Sequence, residues 1–222
     1  MSQIYQIAID GPAGSGKSTL AKGVAKKLGI MYLDTGAMYR TCAVAAIKAG
    51  VDPKDNDSVS KLIESMKLEV KFIDGVQHMI LNGEDVTAIL RTPDVSKAAS
   101  DISALPVVRT SMVNMQRDIA KSETFVLDGR DIGSNVLPDA KYKFFVTASA
   151  EVRAQRRLLE DKEKGNSTQT FEEVLADIKY RDLQDSTREF APLIQTEDAI
   201  LIDTSNITIE QTLEALLSKV NE

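Results

Sequence analysis

A glycine-rich segment near the start of the chain has the residue types and the spacing of a phosphate-binding loop. Gly11, Gly16, Lys17 and Ser18 complete the pattern G-x-x-x-x-G-K-[ST]. In this pattern, backbone N–H groups and the N-terminus of the following helix bind phosphate oxygens, and the lysine reaches the β- and γ-phosphates. The serine hydroxyl holds Mg²⁺, so we predict Ser18 as a metal ligand. A glycine-rich turn without a ligand is the alternative.

The residues around the loop predict a strand before it and helices and strands in alternation after it. Ile4–Ile9 is β-branched and apolar, and Ser18–Leu28 repeats apolar residues at helical spacing. Further strand-like runs lie at Ile30–Leu33, Thr124–Leu127, Tyr142–Thr147 and Ala199–Ile202. Helical patterns lie at Ala37–Ala49, Pro106–Ala120, Ala150–Lys164, Phe171–Asp185 and Ile209–Val220. This order predicts an α/β P-loop protein with a doubly wound, five-stranded parallel sheet and its ligand beyond the C-terminal strand ends.

One segment breaks this alternation and predicts an inserted subdomain. Strand-like runs at 68–73, 76–81 and 84–86 are joined by Asp74-Gly75 and Asn82-Gly83, which are hairpin signals, and Asp57–Met66 is helical before them. We predict a small antiparallel meander within a subdomain of about residues 51–102. The rest, residues 1–50 and 103–222, forms the core of a single domain, with a helical lid at about 153–188 around the polar loop 164–168.

Charged residues follow the second and third predicted strands, where a ligand is expected. Thr35 and Arg40 follow the second strand; they either approach a second phosphate, or Thr35 simply caps the next helix. Asp128, Arg130 and Asp131 follow the third strand. Arg130 offers a planar fork for phosphate oxygens, Asp131 accepts from an N–H donor such as an exocyclic amine, and Asp128 supports a metal shell.

Two predicted helices present arginines at a spacing that puts them on one face each. These are Arg153, Arg156 and Arg157 on the first helix and Arg181 and Arg188, with Asp185, on the second. Phosphoryl transfer needs several cations around the migrating group, so a closing lid explains them. A solvated helix face is the alternative, since acidic residues lie nearby.

Composition excludes several classes of protein. The formal net charge of −6 argues against a nucleic-acid binder. A single histidine, His78 in a strand-like run, makes a histidine-based metal site or catalytic triad implausible. Cys42 is the only cysteine, so we expect no intrachain disulfide and a buried apolar role for it. No long apolar run is present, and we expect a cytoplasmic protein with no membrane partner; nothing demands a dimer, so we expect a monomer.

Several motifs along the chain resemble those of the bacterial cytidylate kinases, a family of nucleoside monophosphate kinases. They are IDGPAGSGKS at 9–18, LDTGAMYR at 33–40, ILRT at 89–92, DGRDIG at 128–133, Arg181-Asp182, and Arg188 with Ala191-Pro192-Leu193. The glycine loop is common to many families, whereas the second and fourth motifs and the inserted meander are far more specific. The resemblance covers essentially the whole chain.

The resemblance implies an enzyme that transfers the γ-phosphoryl group of ATP to CMP or dCMP with Mg²⁺. It implies that Thr35, Arg40, Arg130 and Arg188 hold the CMP phosphate and that Ser100, Arg109 and Asp131 contact the cytosine edge. Arg181 and Asp185 would contact the ribose, and Arg153 and Arg157 would close over the ATP phosphates. The loop that would hold ATP consists of Gly11, Pro12, Ala13, Gly14, Ser15, Gly16, Lys17, Ser18 and Thr19.

This assignment suits the chemistry of the chain, because a phosphate oxygen is already anionic near neutral pH and needs no general base. Lys17, Arg40, Arg130 and Arg188 would serve catalysis by neutralising two anions that must meet. Two alternatives remain. A kinase of the shikimate or gluconate type would use the same loop without the base-contacting residues. A GTP-driven switch is disfavoured, since the chain has neither an [NT]-K-x-D nor a D-x-x-G motif.

Overall fold

Strands and helices alternate along most of the chain in the computed structural model, which describes residues 4–163 and 169–220. The strands are β1 (Gln6–Asp10), β2 (Met31–Asp34), β3 (Leu68–Ile73), β4 (Val76–Leu81), β5 (Glu84–Asp85), β6 (Phe125–Gly129), β7 (Tyr142–Thr147) and β8 (Ile200–Asp203). The helices are α1 (Lys17–Leu28), α2 (Thr35–Ala49), α3 (Asn56–Ser65), α4 (Pro93–Ile102), α5 (Pro106–Ala120), α6 (Ala150–Glu163), α7 (Phe171–Thr187) and α8 (Ile209–Val220).

The larger sheet has five strands in the order β2-β6-β1-β7-β8. β1 is central and parallel to both neighbours, with Asp10 opposite Gly129 on one side and Phe145 on the other. Ile7, Ala8 and Ile9 have no exposed surface, as expected for a strand covered on both faces. The predicted α/β fold with a five-stranded parallel sheet is confirmed.

The chain forms two compact units. The first takes in residues 4–30, 125–163 and 169–220, and the second is Met31–Thr124. In the first unit, α6 and α7 pack through a small apolar cluster that includes Ala154, Leu158 and Ile178. The predicted lid helices are therefore a packed helical pair, while the loop expected between them, residues 164–168, lies outside the described residues.

The second unit contains the predicted antiparallel meander, in the strand order β3-β4-β5. Asp74 and Gly75 join the first two strands with φ values of 51° and 75°, and Asn82 and Gly83 join the next two with 51° and 86°. Both residues of each turn thus adopt the left-handed conformation of tight hairpin turns, which explains the Asp-Gly and Asn-Gly pairs. His78 lies in β4, as predicted, with Nδ1 2.7 Å from Asp85 Oδ2.

Helix α2 forms much of the second unit's core. Met38 and Cys42 are fully buried, and the Cys42 Sγ lies 3.6 Å from the Met112 Sδ on α5. Burial raises the pKa of the Cys42 thiol to about 12, so the thiol stays protonated and behaves as a small apolar group. Within residues 4–163 and 169–220, no helix combines the length and apolar character that a membrane span requires.

Candidate active site

The loop between β1 and α1 has a backbone that favours glycine at several positions. Gly11 has φ 145°, and a Cβ there would lie 1.9 Å from the carbonyl oxygen of Val146. Gly14 and Gly16 also have positive φ values of 75° and 91°. Helix α1 then begins at Lys17, and the first N–H groups of a helix lack partners within it and carry its positive dipole end. The loop therefore has the geometry of an anion site, in agreement with the sequence pattern.

Lys17 is buried at the start of α1. Its Nζ donates to the carbonyl oxygen of Pro12 at 2.6 Å and lies 3.4 Å from Ser15 Oγ. Burial, followed by the charge of Arg130, lowers the pKa of Lys17 to about 7, although Asp128 and Asp185 act in the opposite direction. The lowered pKa shows that the surrounding protein groups do not fully compensate the charge of the ammonium group, and phosphate oxygens would stabilise that charge.

Ser18 and Asp128 form the candidate metal position. The Ser18 hydroxyl donates to Asp128 Oδ2 at 2.7 Å, and Asp128 is buried near the end of β6. Hydroxyl and carboxylate oxygens suit Mg²⁺, which usually keeps several waters and takes few protein ligands. No group of three or more metal-ligating residues occurs in the described ranges, so an all-protein metal cage is absent there. The pair fits a magnesium ion that is completed by phosphate and water.

Arg130 directly follows β6, as predicted, and contacts α7. Its Nε donates to Asp185 Oδ2 at 2.7 Å. Burial by itself would raise the pKa of Asp185, but Arg130 and then Arg188 outweigh it, and the net shift is downward. Asp185 is therefore a carboxylate that holds a predicted phosphate-binding arginine in place.

Asp131 and Arg188 also meet in the first unit. Arg188 Nη2 lies 3.3 Å from Asp131 Oδ1, and its Nε donates to the carbonyl oxygen of Ala191 at 2.6 Å. The second Asp131 oxygen accepts from the side-chain amide of Asn135 at 2.9 Å. Asn135 was not among the predicted site residues. The structure thus orients the Asp131 carboxylate from two sides.

Asp10 is a second residue that sequence reasoning missed. Its two carboxylate oxygens accept from the backbone N–H groups of Ile132, at 2.8 Å, and Gly133, at 2.7 Å. Burial raises the pKa of Asp10 to about 6, against the opposing effect of these two hydrogen bonds. An acidic residue at the end of an apolar strand was the available signal, and the same signal had singled out Asp128.

The predicted lid arginines differ in their surroundings. Arg153 is buried; it donates to the carbonyl oxygens of Ala148, at 2.9 Å, and Ala13, at 3.1 Å, and makes two bonds to Asp182 at 2.9 and 2.6 Å. Arg157 instead pairs with Asp161 on its own helix at 2.9 Å.

Arg156, a further lid arginine, donates to the hydroxyl of Thr204 at 2.9 Å and to its carbonyl oxygen at 2.6 Å, whereas Arg181 on α7 lies near Arg157. Burial lowers the pKa of Arg181, and the charge of Arg157 lowers it further. Two guanidinium groups that repel each other suit a nearby anion. Arg153, by contrast, already has protein acceptors on all three of its nitrogens.

In the second unit, one carboxylate organises the start of α2. Asp34 accepts from the backbone N–H of Ala37 at 2.9 Å and from Arg40 Nη2 at 2.8 Å, and Arg91 Nη2 lies 3.2 Å from the same oxygen as Arg40. Asp34 is therefore the helix cap. The interpretation of Thr35 as the cap is wrong, because Thr35 is already the first residue of the helix and is buried.

Ser100 and Arg109, the predicted base-contacting residues of the second unit, lie around Ser103. The Ser100 carbonyl oxygen accepts from the Ser103 hydroxyl at 3.1 Å, and Arg109 Nη1 donates to the Ser103 carbonyl oxygen at 3.4 Å. The Arg109 guanidinium lies 5.5 Å from the centre of the Tyr39 ring and is buried. The ring contact and the hydrogen bond to the Ser103 carbonyl oxygen both restrict the orientation of this buried guanidinium.

A parallel sheet whose first strand leads through a glycine loop into a helix, with a buried lysine and a Ser–Asp pair, defines the class of P-loop phosphotransferases. The structure is similar to a crystal structure of shikimate kinase from Bacteroides thetaiotaomicron, with a TM-score of 0.50, 13% identity, and coverage of 99% of this chain and 100% of that one. At this identity the likeness concerns the fold.

Sequence comparison gives the family. A family model described as cytidylate kinase matches residues 7–222. The chain is 48% identical over 211 residues to a cytidylate kinase of Caldicellulosiruptor saccharolyticus, covering 95% of this chain and 93% of the relative. It is 49% identical over 216 residues to a cytidylate kinase of Clostridium botulinum, covering 97% of each. The chain belongs to the cytidylate kinase family, and the predicted resemblance is confirmed.

Proposed function

We propose that the protein transfers the γ-phosphoryl group of ATP to CMP or dCMP, giving ADP and CDP or dCDP. Membership of the cytidylate kinase family makes it a phosphotransferase. The structural observation that carries the proposal is that half-buried Arg130, held by Asp185 at 2.7 Å, lies near enough to buried Lys17 for the two positive charges to act on each other. Two adjacent cations near the C-terminal strand ends suit a reaction in which two phosphate groups must approach closely.

On the donor side, the loop 11–19 and Lys17 would bind the ATP phosphates. Ser18 would hold Mg²⁺ with Asp128 as its hydrogen-bond partner, 2.7 Å away. Magnesium, when bound, neutralises charge on the phosphates. Arg157 and Arg181 would approach the same phosphates, since their mutual repulsion falls when an anion lies between them. Arg153 is also proposed to bind ATP. It donates to the carbonyl oxygen of the loop residue Ala13, so it would also hold the loop that binds the phosphates.

On the acceptor side, we propose that Thr35, Arg40, Arg130 and Arg188 bind the CMP phosphate. Arg130 and Arg188 each lie beside a carboxylate, which keeps the guanidinium groups oriented before substrate arrives. Ser100, Arg109 and Asp131 would bind the cytosine edge, and Arg181 and Asp185 the ribose. We also propose that residues 51–102 form a monophosphate-binding subdomain and that residues 153–188 act as a lid.

The proposed transfer is direct and in line. A phosphate oxygen of CMP attacks the γ-phosphorus, and the bond from that phosphorus to the bridging oxygen of ADP breaks as the new bond forms. ADP leaves with the bonding electron pair, and no protein group is phosphorylated. The arginines lower the repulsion between the two anions, and closure of the lid excludes water, which would otherwise accept the phosphoryl group.

The first test is a substrate panel with ATP and Mg²⁺, following ADP release with CMP, dCMP, UMP, AMP, GMP, shikimate and gluconate as acceptors. Preferred turnover of CMP and dCMP supports the proposal. Turnover of shikimate or gluconate only would contradict the acceptor assignment, and ADP release that is independent of every acceptor would contradict the transfer itself.

The second test concerns base recognition by Asp131. Replacing Asp131 by Asn leaves one acceptor oxygen but adds an amino group, which suits the O4 acceptor of uracil better than the N4 amine of cytosine. We expect the preference for CMP over UMP to fall by about tenfold, the effect of one mispaired buried polar group. Asp139→Asn, an exposed change elsewhere in the chain, is the control and should leave the preference unchanged. An unchanged preference in Asp131→Asn would place base recognition elsewhere.

A further inference from the structure

The carboxylate of Asp10 joins the end of β1 to the helical turn Ile132–Val136, which directly follows Arg130 and Asp131. We propose that Asp10 is a positioning residue for CMP, acting through this turn and not by contact with substrate. The proposal rests on the proposed function, because it gives Asp10 a part in the acceptor side of that reaction.

The geometry around Asp10 leaves its carboxylate fully engaged. One oxygen accepts from the N–H of Ile132 at 2.8 Å and the other from the N–H of Gly133 at 2.7 Å. The residue is buried, and its partner in the parallel register is Gly129, the residue before Arg130. Hydrogen bonds to a charged acceptor are about twice as strong as neutral ones, so this contact fixes two consecutive backbone positions.

Hydrogen bonds connect the turn, which Asp10 fixes, to Asp131. The backbone N–H groups of Asn135 and Val136 both donate to the Asp131 carbonyl oxygen, at 2.9 and 3.0 Å. The N–H of Leu137 donates to the carbonyl oxygen of Ile132 at 2.7 Å. The turn is therefore one closed, hydrogen-bonded unit. From it, the Asn135 side chain donates to Asp131 Oδ2 at 2.9 Å. A displacement of residues 132 and 133 would therefore also displace Asn135, whose side chain orients the Asp131 carboxylate.

Close packing at Gly133 limits how the turn can relax. A Cβ at Gly133 would lie 3.1 Å from Lys143 Cδ and 3.4 Å from Asp10 Oδ2. Lys143 is itself held by Asp198, with 2.6 Å between Nζ and Oδ2. Gly133 thus packs closely against both the Asp10 carboxylate and the tethered aliphatic chain of Lys143, and Asp10 supplies the polar contact.

The variant Asp10→Asn tests the proposal with the smallest change in shape. Asparagine has one acceptor oxygen, and its amino group would face the other backbone N–H, so one of the two anchors is lost. We expect KM for CMP to rise by about tenfold, the effect of losing one charge-assisted hydrogen bond. KM for ATP should change by less than about twofold, and the preference for CMP over UMP should fall, since Asp131 loses its fixed orientation.

Two controls separate positioning from a general loss of structure. Ser134→Ala alters the same turn at a hydroxyl with no hydrogen-bond partner among the described residues and should leave both KM values unchanged. Ile7→Val, in the buried part of β1, lowers stability without touching the turn. If the role of Asp10 is purely structural, Asp10→Asn and Ile7→Val should show the same KM values for CMP and ATP when each is assayed at the same interval below its own melting temperature.

The outcomes are distinct. An unchanged KM for CMP, or equal rises for CMP and ATP, would overturn the proposal. If Asp10→Asn does not fold, Gly133→Ala is the second variant: it keeps the Asp10 carboxylate but places a Cβ against Lys143 and Asp10, which displaces the turn. It should show a smaller rise in KM for CMP only, and no rise would overturn the proposal. Failure of the wild-type protein to prefer CMP would instead contradict the proposed function, so the two failures are distinguishable.

Discussion

The two units differ in how their arginines are neutralised. In the first unit, each of three arginines lies against a carboxylate, in the pairs Arg130–Asp185, Arg153–Asp182 and Arg188–Asp131. In the second unit, Arg40 and Arg91 share one oxygen of Asp34, and Arg40 Nε is buried without a hydrogen-bond partner in the described part of the chain.

This difference separates two ways of preparing for an anion. The first unit fixes the direction of these three guanidinium groups through a carboxylate each, so an incoming phosphate finds oriented donors. The second unit keeps an excess of positive charge around one acidic residue, which favours binding of an anion from solution. Mutations in the first unit should therefore act on rate and selectivity as well as on affinity, and mutations of the second unit's pair mainly on affinity.

The largest effect is expected at Lys17, because it alone combines burial, the phosphate loop and the neighbouring charge of Arg130. Lys17→Ala should lower kcat by about 10³-fold, as expected for the loss of a buried group that stabilises transition-state charge. The melting temperature should change far less, since the buried ammonium gains little in the absence of phosphate. Lys26→Ala, an exposed change on the same helix, is the control. Retained activity in Lys17→Ala would remove the phosphate-loop assignment.

The next effect is expected at Arg130. Arg130→Ala should raise KM for CMP by about 10²-fold, roughly the loss of two charge-assisted hydrogen bonds, and leave KM for ATP within about threefold. Asp185, which is left without Arg130, should recover a higher pKa. Initial rates with each substrate varied in turn give both constants. Equal losses for CMP and ATP would show that Arg130 does not belong to the acceptor side.

A smaller effect should separate Arg40 from Arg91 in the second unit. Arg40→Ala should raise KM for CMP by about tenfold, because its half-buried guanidinium lies at the start of α2 and retains an unused donor. Arg91→Ala should have a weaker effect that fades at high salt, since the Arg91 side chain is 55% exposed. Equal effects at both positions, or effects on kcat only, would contradict the comparison between the units.

The last prediction concerns the stability of the first unit's Asp10 as a function of pH and leaves activity aside. Asp131 raises the pKa of Asp10 and Lys17 lowers it, both less than burial does. Burial raises the pKa of Asp10 from 3.8 to about 6, so the folded protein binds this proton more tightly than the unfolded chain does. The resulting stability is fully present below pH 3.8 and is lost as the pH rises through about 6. Wild type should therefore lose about 2 kcal/mol relative to Asp10→Asn between pH 4 and pH 7. A stability difference that is independent of pH would contradict the shift.

Much of the fold could be predicted from local patterns. Strand Tyr142–Thr147 and helix Pro106–Ala120 have the predicted bounds, because their apolar periodicity and flanking residues agree. The meander followed from its Asp-Gly and Asn-Gly turns. Helix α4 was not predicted, although Val95, Ala98, Ala99 and Ile102 repeat at helical spacing. The preceding hairpin signals led us to assign the segment only as part of the meander subdomain.

The site was predictable where its residues form local motifs, and less so where they act through distant partners. The loop, Arg130 and Arg188 could be found from residue type and position at strand or helix ends. Asp10 was harder to find: its place at the end of a strand was a signal, but its hydrogen-bond partners lie more than 120 residues away and meet it only through the strand register. Asp182 was missed for the same reason: its bonds to Arg153 link two helices whose packing no local pattern specifies.

The single cysteine makes this chain convenient for spectroscopy. Cys42 is fully buried next to Met112, and its thiol stays protonated to about pH 12, so a maleimide reagent at neutral pH would leave it intact in the folded protein. A cysteine introduced at an exposed position of α7 would then be the one reactive thiol in a wild-type background. Fluorescent or spin labels at that position could follow the motion of the helix during turnover without first removing a native residue.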